Sequence, residues 1–192
     1  KVGWEIGPII NAAGRLEDAY SAFELLIETD KKEAIELLGD MMEVRKKVQA
    51  KTRAAQVSLV DVIKTKTGVA VCVLDADETP EGIVGIVAAR AADYFQAPAL
   101  AIVRVKHKKF GSVYKGSGRS GETDFSYEKW INALNAEGLL VAGGGHKAAA
   151  GMTFRVGKLK AVLASAEAQE FKVTTPPHYA ISVDDAEAYR EE

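Results

Sequence analysis

Apolar residues recur at helical spacing through the first third of the chain and give way to short β-branched runs beyond it. Ala19, Ala22, Phe23, Leu25, Leu26 and Ile27 follow the acidic pair Glu17-Asp18 in a pattern that predicts a helix. Asp30 with Glu33 three residues on has the form of a capping box and opens a second, longer helix. Along it Ala34, Leu37, Leu38, Met41, Met42, Val44 and Val48 make an apolar stripe. Glu36, Asp40, Glu43, Arg45, Lys46, Lys47, Lys51 and Arg53 make its solvated face. The Met41-Met42 pair reads as packing rather than as a groove for a partner.

From Val69 the period changes. Val69 to Leu74 reads as a buried strand, ended by Asp75-Ala-Asp77. Gly82 to Phe95 is small and apolar enough for a helix packed on a sheet. Ala99 to Val105 and Gly111 to Gly118 read as two strands of a hairpin. Ser126 to Ala136 predicts a helix anchored by Trp130 and Ile131. A loop, Gly143-Gly144-Gly145-His146, leads to a strand at Ala149 to Val156, and Leu159 to Phe171 is a final helix. The step Thr174-Thr175-Pro176-Pro177 reads as a linker, followed by one strand, Tyr179 to Val183, and an acidic end. This order predicts an α/β fold with a mixed β-sheet flanked by helices, preceded by a helical connector region. The division expected is 1–66 for the connector, 67–173 for the α/β domain and 174–192 for a linker and the start of a further domain.

Composition adds limits. Of 192 residues 47% are hydrophobic and 27% charged, which is ordinary for a folded domain and excludes a collagen or a disordered tail. No apolar run approaches the roughly 18 residues of a membrane helix, and no signal peptide opens the chain, so no membrane partner and a cytoplasmic location are expected. The single Cys72 has no partner for an internal disulfide and reads as a small core residue. The chain begins at Lys1, without Met, in what reads as structured sequence, so a piece of a longer protein is expected.

The charge balance, 25 Lys and Arg against 27 Asp and Glu, excludes a wholly basic nucleic-acid binder but hides a local asymmetry. From Tyr94 to Gly121 there is no acid, while Arg104, Lys106, Lys108, Lys109, Lys115 and Arg119 are interleaved with His107, Phe110 and Tyr114. Such a hairpin suits a nucleic-acid strand, because phosphates need charge and bases need flat stacking surfaces. It equally suits a solvated hairpin tip. In Gly116-Ser-Gly-Arg-Ser120, small residues allow close approach to an anion, Ser117 and Ser120 add donors, and Arg119 supplies a planar fork for phosphate. A plain Gly-Ser turn explains the same pentapeptide. In Gly143-Gly-Gly-His-Lys-Ala-Ala-Ala-Gly151 a ligand backbone could lie directly on the glycines, with His146 donating to a phosphate or to a metal-held oxygen. A tight turn with a structural histidine is the alternative. Arg90 is either a surface charge or a phosphate contact. Asp75 and Asp77 without a neighbouring histidine make a weak metal site.

Taken together, these motifs resemble the RecJ family of single-strand-specific exonucleases, in the DHH phosphoesterase superfamily. Ile6-Gly-Pro-Ile-Ile-Asn-Ala-Ala-Gly-Arg-Leu16 resembles the segment after the catalytic DHH domain. Gly82-Ile-Val-Gly-Ile-Val-Ala-Ala-Arg90, Gly116 to Ser120 and Gly144 to Gly151 resemble successive signatures of the DHH-associated domain. The resemblance implies the substrate-binding part of a 5′-to-3′ single-stranded DNA exonuclease. Its two divalent ions, Mn2+ or Mg2+, would be held by the DHH domain, with none expected in this chain. It also implies that Ser117, Arg119 and Ser120 hold a 5′ phosphate, while Gly144, Gly145 and His146 contact the strand or support catalysis. Asn11 and Arg15 would lie at the junction with the catalytic domain, and Arg90 would be a further phosphate contact. Ile9 stands where family members usually carry Arg. On this reading the chain is inactive alone, and single-stranded DNA, or short RNA, is its partner. The alternatives are a phosphodiesterase for nanoRNA or cyclic dinucleotides and a non-catalytic accessory module.

Overall fold

The computed structural model describes residues 2–16, 18–57, 59, 63–65 and 67–174. The expected strand from Tyr179 to Val183 and most of the expected linker lie outside them.

Three helices come first: α1 (Val2–Leu16), α2 (Tyr20–Ile27) and α3 (Lys31–Val57). Helix α1 contains Gly7, Pro8 and Gly14, and those helix breakers kept it out of the sequence pattern. Small residues then let it approach its neighbours. Ala12 packs with Val44, Val48 and Ile83, and Ala13 with Ala22 and Met41. The stripe of α3 is narrower than expected, since Met41, Val44 and Val48 are buried while Leu38 and Met42 are exposed. The buried positions face Ala12, Ala13 and Ala22 of α1 and α2, and nothing among the described residues covers the second column. The capping box is half formed: Asp30 Oδ1 accepts from the N–H groups of Lys32 and Glu33 at 2.8 and 3.0 Å. The reciprocal arm comes from Glu28, whose Oε1 accepts from the Asp30 N–H at 2.7 Å.

A five-stranded mixed sheet follows, in the order β1 (Ala70–Leu74), β2 (Ala99–His107), β3 (Gly111–Arg119), β5 (Ala149–Arg155), β4 (Ala142–Gly145). Only β1 and β2 are parallel; the other three pairings are antiparallel. The crossover between β1 and β2 carries a 3-10 turn, Glu81–Ile83, and helix α4 (Val84–Phe95). Helices α5 (Tyr127–Ala136) and α6 (Leu159–Glu167) cover the other face. Ser126 caps α5 by accepting from the Lys129 N–H at 3.4 Å.

Two cores result. Val84, Val87, Ala88, Ala91 and Ala92 of α4 pack on Ala70, Cys72, Ala99, Ala101 and Val103. On the opposite face Tyr127, Trp130, Ile131 and Leu134 meet Leu100, Ile102, Tyr114, Met152 and Phe154. Burial pushes the Cys72 thiol up to about 12.

Two expectations need correction. Ala142–Gly145 is an edge strand and not a loop, because β5 supplies a register partner for each of its residues. The final helix stops at Glu167 rather than Phe171. There the N–H of Val69 takes the Ala166 carbonyl and the Thr67 hydroxyl takes that of Glu167, groups a longer helix would use itself. Gly68, at φ +65°, lets the chain pass so close, since a Cβ there would lie 2.1 Å from the Ala166 oxygen. The strand expected from Gly111 to Gly118 is present and runs on to Arg119, so Gly116 to Arg119 lies in a central strand and the alternative of a plain Gly-Ser turn falls.

Candidate functional site

The position of Gly116 to Arg119 inside β3 decides what the Gly-Ser-Gly-Arg motif can do. From Gly116 to Arg119 each residue of β3 is registered with both β2 and β5, so the motif's backbone N–H groups belong to the ladder and are not free to cradle an anion. Side chains alternate instead. Gly116 and Gly118 face the α5 core, where a Cβ would lie 2.8 Å from Ile102 Cγ2 and 2.2 Å from Tyr127 Cε1 respectively. Ser117 and Arg119, with Lys115, face the other way, towards α4.

Helix α4 lies over β1, β2 and part of β3 on that face, meeting Ser117 and Arg119 through Gly85, and leaves β5 and β4 open beside it. The result is a cleft of about 600 Å3 between the start of α4 and the sheet. Its floor can be read from the strand register. Ser117, Gly151 and Gly144 form one row across three strands, with almost no side chain standing above the backbone. Lys115, Thr153 and Ala142 form the row on one side; Arg119 and Ala149 form the row on the other. His146 closes that last row through its N–H, bonded to the Ala149 carbonyl at 2.8 Å, and is exposed. Gly145 owes its identity to this turn, since a Cβ would lie 2.4 Å from the same carbonyl.

The two cations differ in state. Lys115 Nζ is paired with Glu81 Oε1 at 2.5 Å, bridging the cleft from sheet to helix start. Arg119 is half-buried and has no carboxylate partner among the described residues. Its Nη1 donates to Ser117 Oγ at 2.8 Å and to the Gly118 carbonyl at 2.7 Å, which holds the guanidinium plane over the floor. Both bonds leave from Nη1, so the fork keeps donors for an oxyanion. Gly85 of α4 makes the room: a Cβ there would stand 3.1 Å from Arg119 Nη2 and 3.3 Å from Ser117 Oγ. Below the sheet, the Tyr127 hydroxyl donates to the Ala99 carbonyl at 2.6 Å, and burial raises its pKa well above the ordinary range.

The sequence candidates therefore separate. Ser117 and Gly144 line one cleft, Arg119 meets it through its bond to Ser117, and Gly145 and His146 lie beside the lining at the end of the Arg119 row. Ser120 is buried, its N–H on the Ala148 carbonyl and its own carbonyl accepting from the Thr123 hydroxyl, so it builds the turn after β3. Arg90 is exposed on the side of α4 away from the sheet, and Asn11 is exposed on α1. Arg15 Nη1 donates to the Gly82 carbonyl at 3.0 Å, tying the three-helix region to the start of α4. Asp75 accepts from the N–H of Asp77 at 2.8 Å and so shapes a turn. Lys115, Glu81, Gly85, Gly151 and Thr153 also line the cleft; Lys115, Gly85 and Gly151 belong to stretches read in the sequence, but none of the five was given a site role there. The signal for Lys115 was there, since it alternates with Ser117 and Arg119; Glu81 and Thr153 carried none.

Comparison with known proteins gives a consistent result. The DHHA1 domain family matches residues 66–170. The single-stranded-DNA-specific exonuclease RecJ of Bacillus subtilis is 31% identical over 156 residues, covering 80% of this chain and 19% of that protein. RecJ of Thermus thermophilus is 30% identical over 177 residues, 92% of this chain and 24% of that protein. A crystal structure of the Thermus thermophilus RecJ in complex with Mn2+ superposes with a TM-score of 0.74 at 29% identity, over 87% of this chain and 24% of that one. The chain thus spans about a fifth to a quarter of the length of these relatives.

Proposed function

Since this chain belongs to the DHHA1 domain family, and its likeness to RecJ runs on into the helices before that domain, we propose that it holds single-stranded DNA by its 5′ phosphate for a RecJ-like phosphodiester hydrolase. The observation that carries this is the pairing of Arg119 with Ser117 at the rim of a floor made of Gly151 and Gly144. A bare glycine floor admits a sugar-phosphate backbone at contact distance, and a guanidinium already steered by one hydroxyl loses little freedom on binding phosphate. Lys115, neutralised by Glu81, sets the breadth of the cleft and adds little net charge. The surface is thus selective for one anion rather than generally basic. His146, exposed at the end of the Arg119 row, contacts the strand next to that phosphate.

The residues described do not fit a metal centre. No three of His, Cys, Asp and Glu come together among them, so no metal-dependent step is assigned to this chain. In our reading the ions that act in RecJ-type hydrolysis sit on a catalytic DHH domain, and this chain grips the strand. Among the described residues no helix is long and apolar enough to cross a membrane.

The test is binding of matched oligonucleotides carrying a 5′ phosphate or a 5′ hydroxyl, followed by fluorescence anisotropy. The phosphorylated strand should bind at least about tenfold tighter, and Arg119→Ala should abolish the difference. Equal binding of the two ends by the unaltered protein sinks the proposal. Saturation by dinucleotides, with no gain for longer strands, would favour a phosphodiesterase of short oligonucleotides instead.

A further inference from the structure

The tip of the β2–β3 hairpin stands outside the cleft and has a construction of its own. The rings of His107 and Phe110 stack with centroids 4.9 Å apart and planes 28° from parallel. Lys109 Nζ lies 5.4 Å from the Phe110 centroid and the Arg155 guanidinium carbon 5.8 Å. The Lys109 N–H donates to His107 Nδ1 at 3.1 Å, which locks the imidazole to the turn. Beside this pair Lys108, Lys109 and Arg155 are exposed, while Arg104 and Lys106 are exposed on the opposite face of β2. No carboxylate among the described residues lies within 4.0 Å of any of them. Crowding cations in this way adds nothing to the fold, so the counter-charge comes from outside.

Two further points choose the ligand. An acidic peptide would need only the cations, whereas a locked aromatic–imidazole stack offers a flat surface that a nucleobase uses. The tip also continues the site: Arg155 lies two residues beyond Thr153 on β5, hence on the face that carries the cleft floor. Resting on the reading of the cleft given above, we infer that His107, Phe110 and the cations beside them form a second subsite. It takes a base and its flanking phosphates of the same DNA strand. Gly111 and Arg119 are the ends of one strand, eight residue steps and about 26 Å apart at roughly 3.3 Å per residue. That distance corresponds to about eight stacked nucleotides at roughly 3.4 Å each. A trinucleotide held at Arg119 therefore cannot reach Phe110, while a dodecanucleotide spans both.

Affinities of the 192-residue chain for a 5′-phosphorylated trinucleotide and dodecanucleotide test this. Phe110→Ala should weaken the dodecanucleotide about tenfold and leave the trinucleotide unchanged. Lys108→Ala with Lys109→Ala, which leaves the ring pair in place, should lower the salt dependence of the longer strand by roughly 1.4 in the log–log slope. Arg119→Ala should weaken both lengths, and if it weakens neither, the cleft reading fails while a length-selective loss in Phe110→Ala still supports the tip. The inference is overturned if the Phe110 and Lys variants, folded by circular dichroism, bind the dodecanucleotide as the parent does. It is equally overturned if polyglutamate displaces the dodecanucleotide as well as unlabelled DNA does.

Discussion

Gly118 within β3 and Gly85 in the helix over it are glycines for different reasons. At Gly118 the Tyr127 ring occupies the place of a side chain, so the residue is set by packing. At Gly85 the neighbours are the ends of Arg119 and Ser117, which can move, so the residue is set by the site. Gly85→Ala should therefore stabilise the protein by about 0.5–1 kcal/mol, through helix propensity, in a denaturant titration. The same substitution should cut the preference for a 5′ phosphate, because the new methyl pushes the guanidinium off the floor. Cys72 carries a pH prediction. Burial raises its thiol from 9.0 to about 12, so the folded state disfavours the thiolate that the unfolded chain accepts. Its contribution is present in full below pH 9 and is lost as pH climbs towards 12. The midpoint of thermal unfolding should fall across that window, and less steeply in Cys72→Ala.

Among the elements, the contact of α1 with the start of α4 joins the helical region to the sheet. Arg15 holds the Gly82 carbonyl, and a Cβ on Gly82 would lie 2.0 Å from the Arg15 oxygen. Both groups are backbone and neither can swing aside. Gly82→Ala should thus cost roughly 1–3 kcal/mol and expose α1 to limited proteolysis before the sheet is cut. Arg15 thus braces a junction inside the chain, beside the junction with a catalytic domain that the family pattern implies for it. The elements themselves were largely legible. Ala70–Leu74, Val84–Phe95, both hairpin strands and the helix capped by Ser126 follow from period and caps, because their burial is one-sided or complete. The strand Ala142–Gly145 was not legible, since glycines without side chains show no alternation; only pairing with β5 makes it a strand.

On the scale of the whole molecule, the cleft exists because α4 is one helix wide and the sheet is five strands wide. The near-neutral composition is then compatible with a nucleic-acid surface. Glu81 neutralises Lys115, and Arg119 and the hairpin tip keep their charge, so attraction is confined to one path. With no cluster of metal-ligating side chains among the described residues, the chain supplied with Mn2+ should hydrolyse no single-stranded DNA in a gel assay. Release of nucleotides by the pure chain would refute its assignment as a gripping domain.

What the sequence by itself determined was local: the order of helices and strands, the acid-free basic hairpin, and the motifs that lead to the DHHA1 family. These depend on periods of 2 and 3.6 and on residue types that neighbours along the chain suffice to specify. Which of the motif residues share a site was decided by the tertiary structure. Strand register put Ser117 beside Gly151 and Gly144, sent Ser120 into a buried turn, and left Arg90 on the far side of its helix. Register is a relation between segments distant in sequence, and no single segment encodes it.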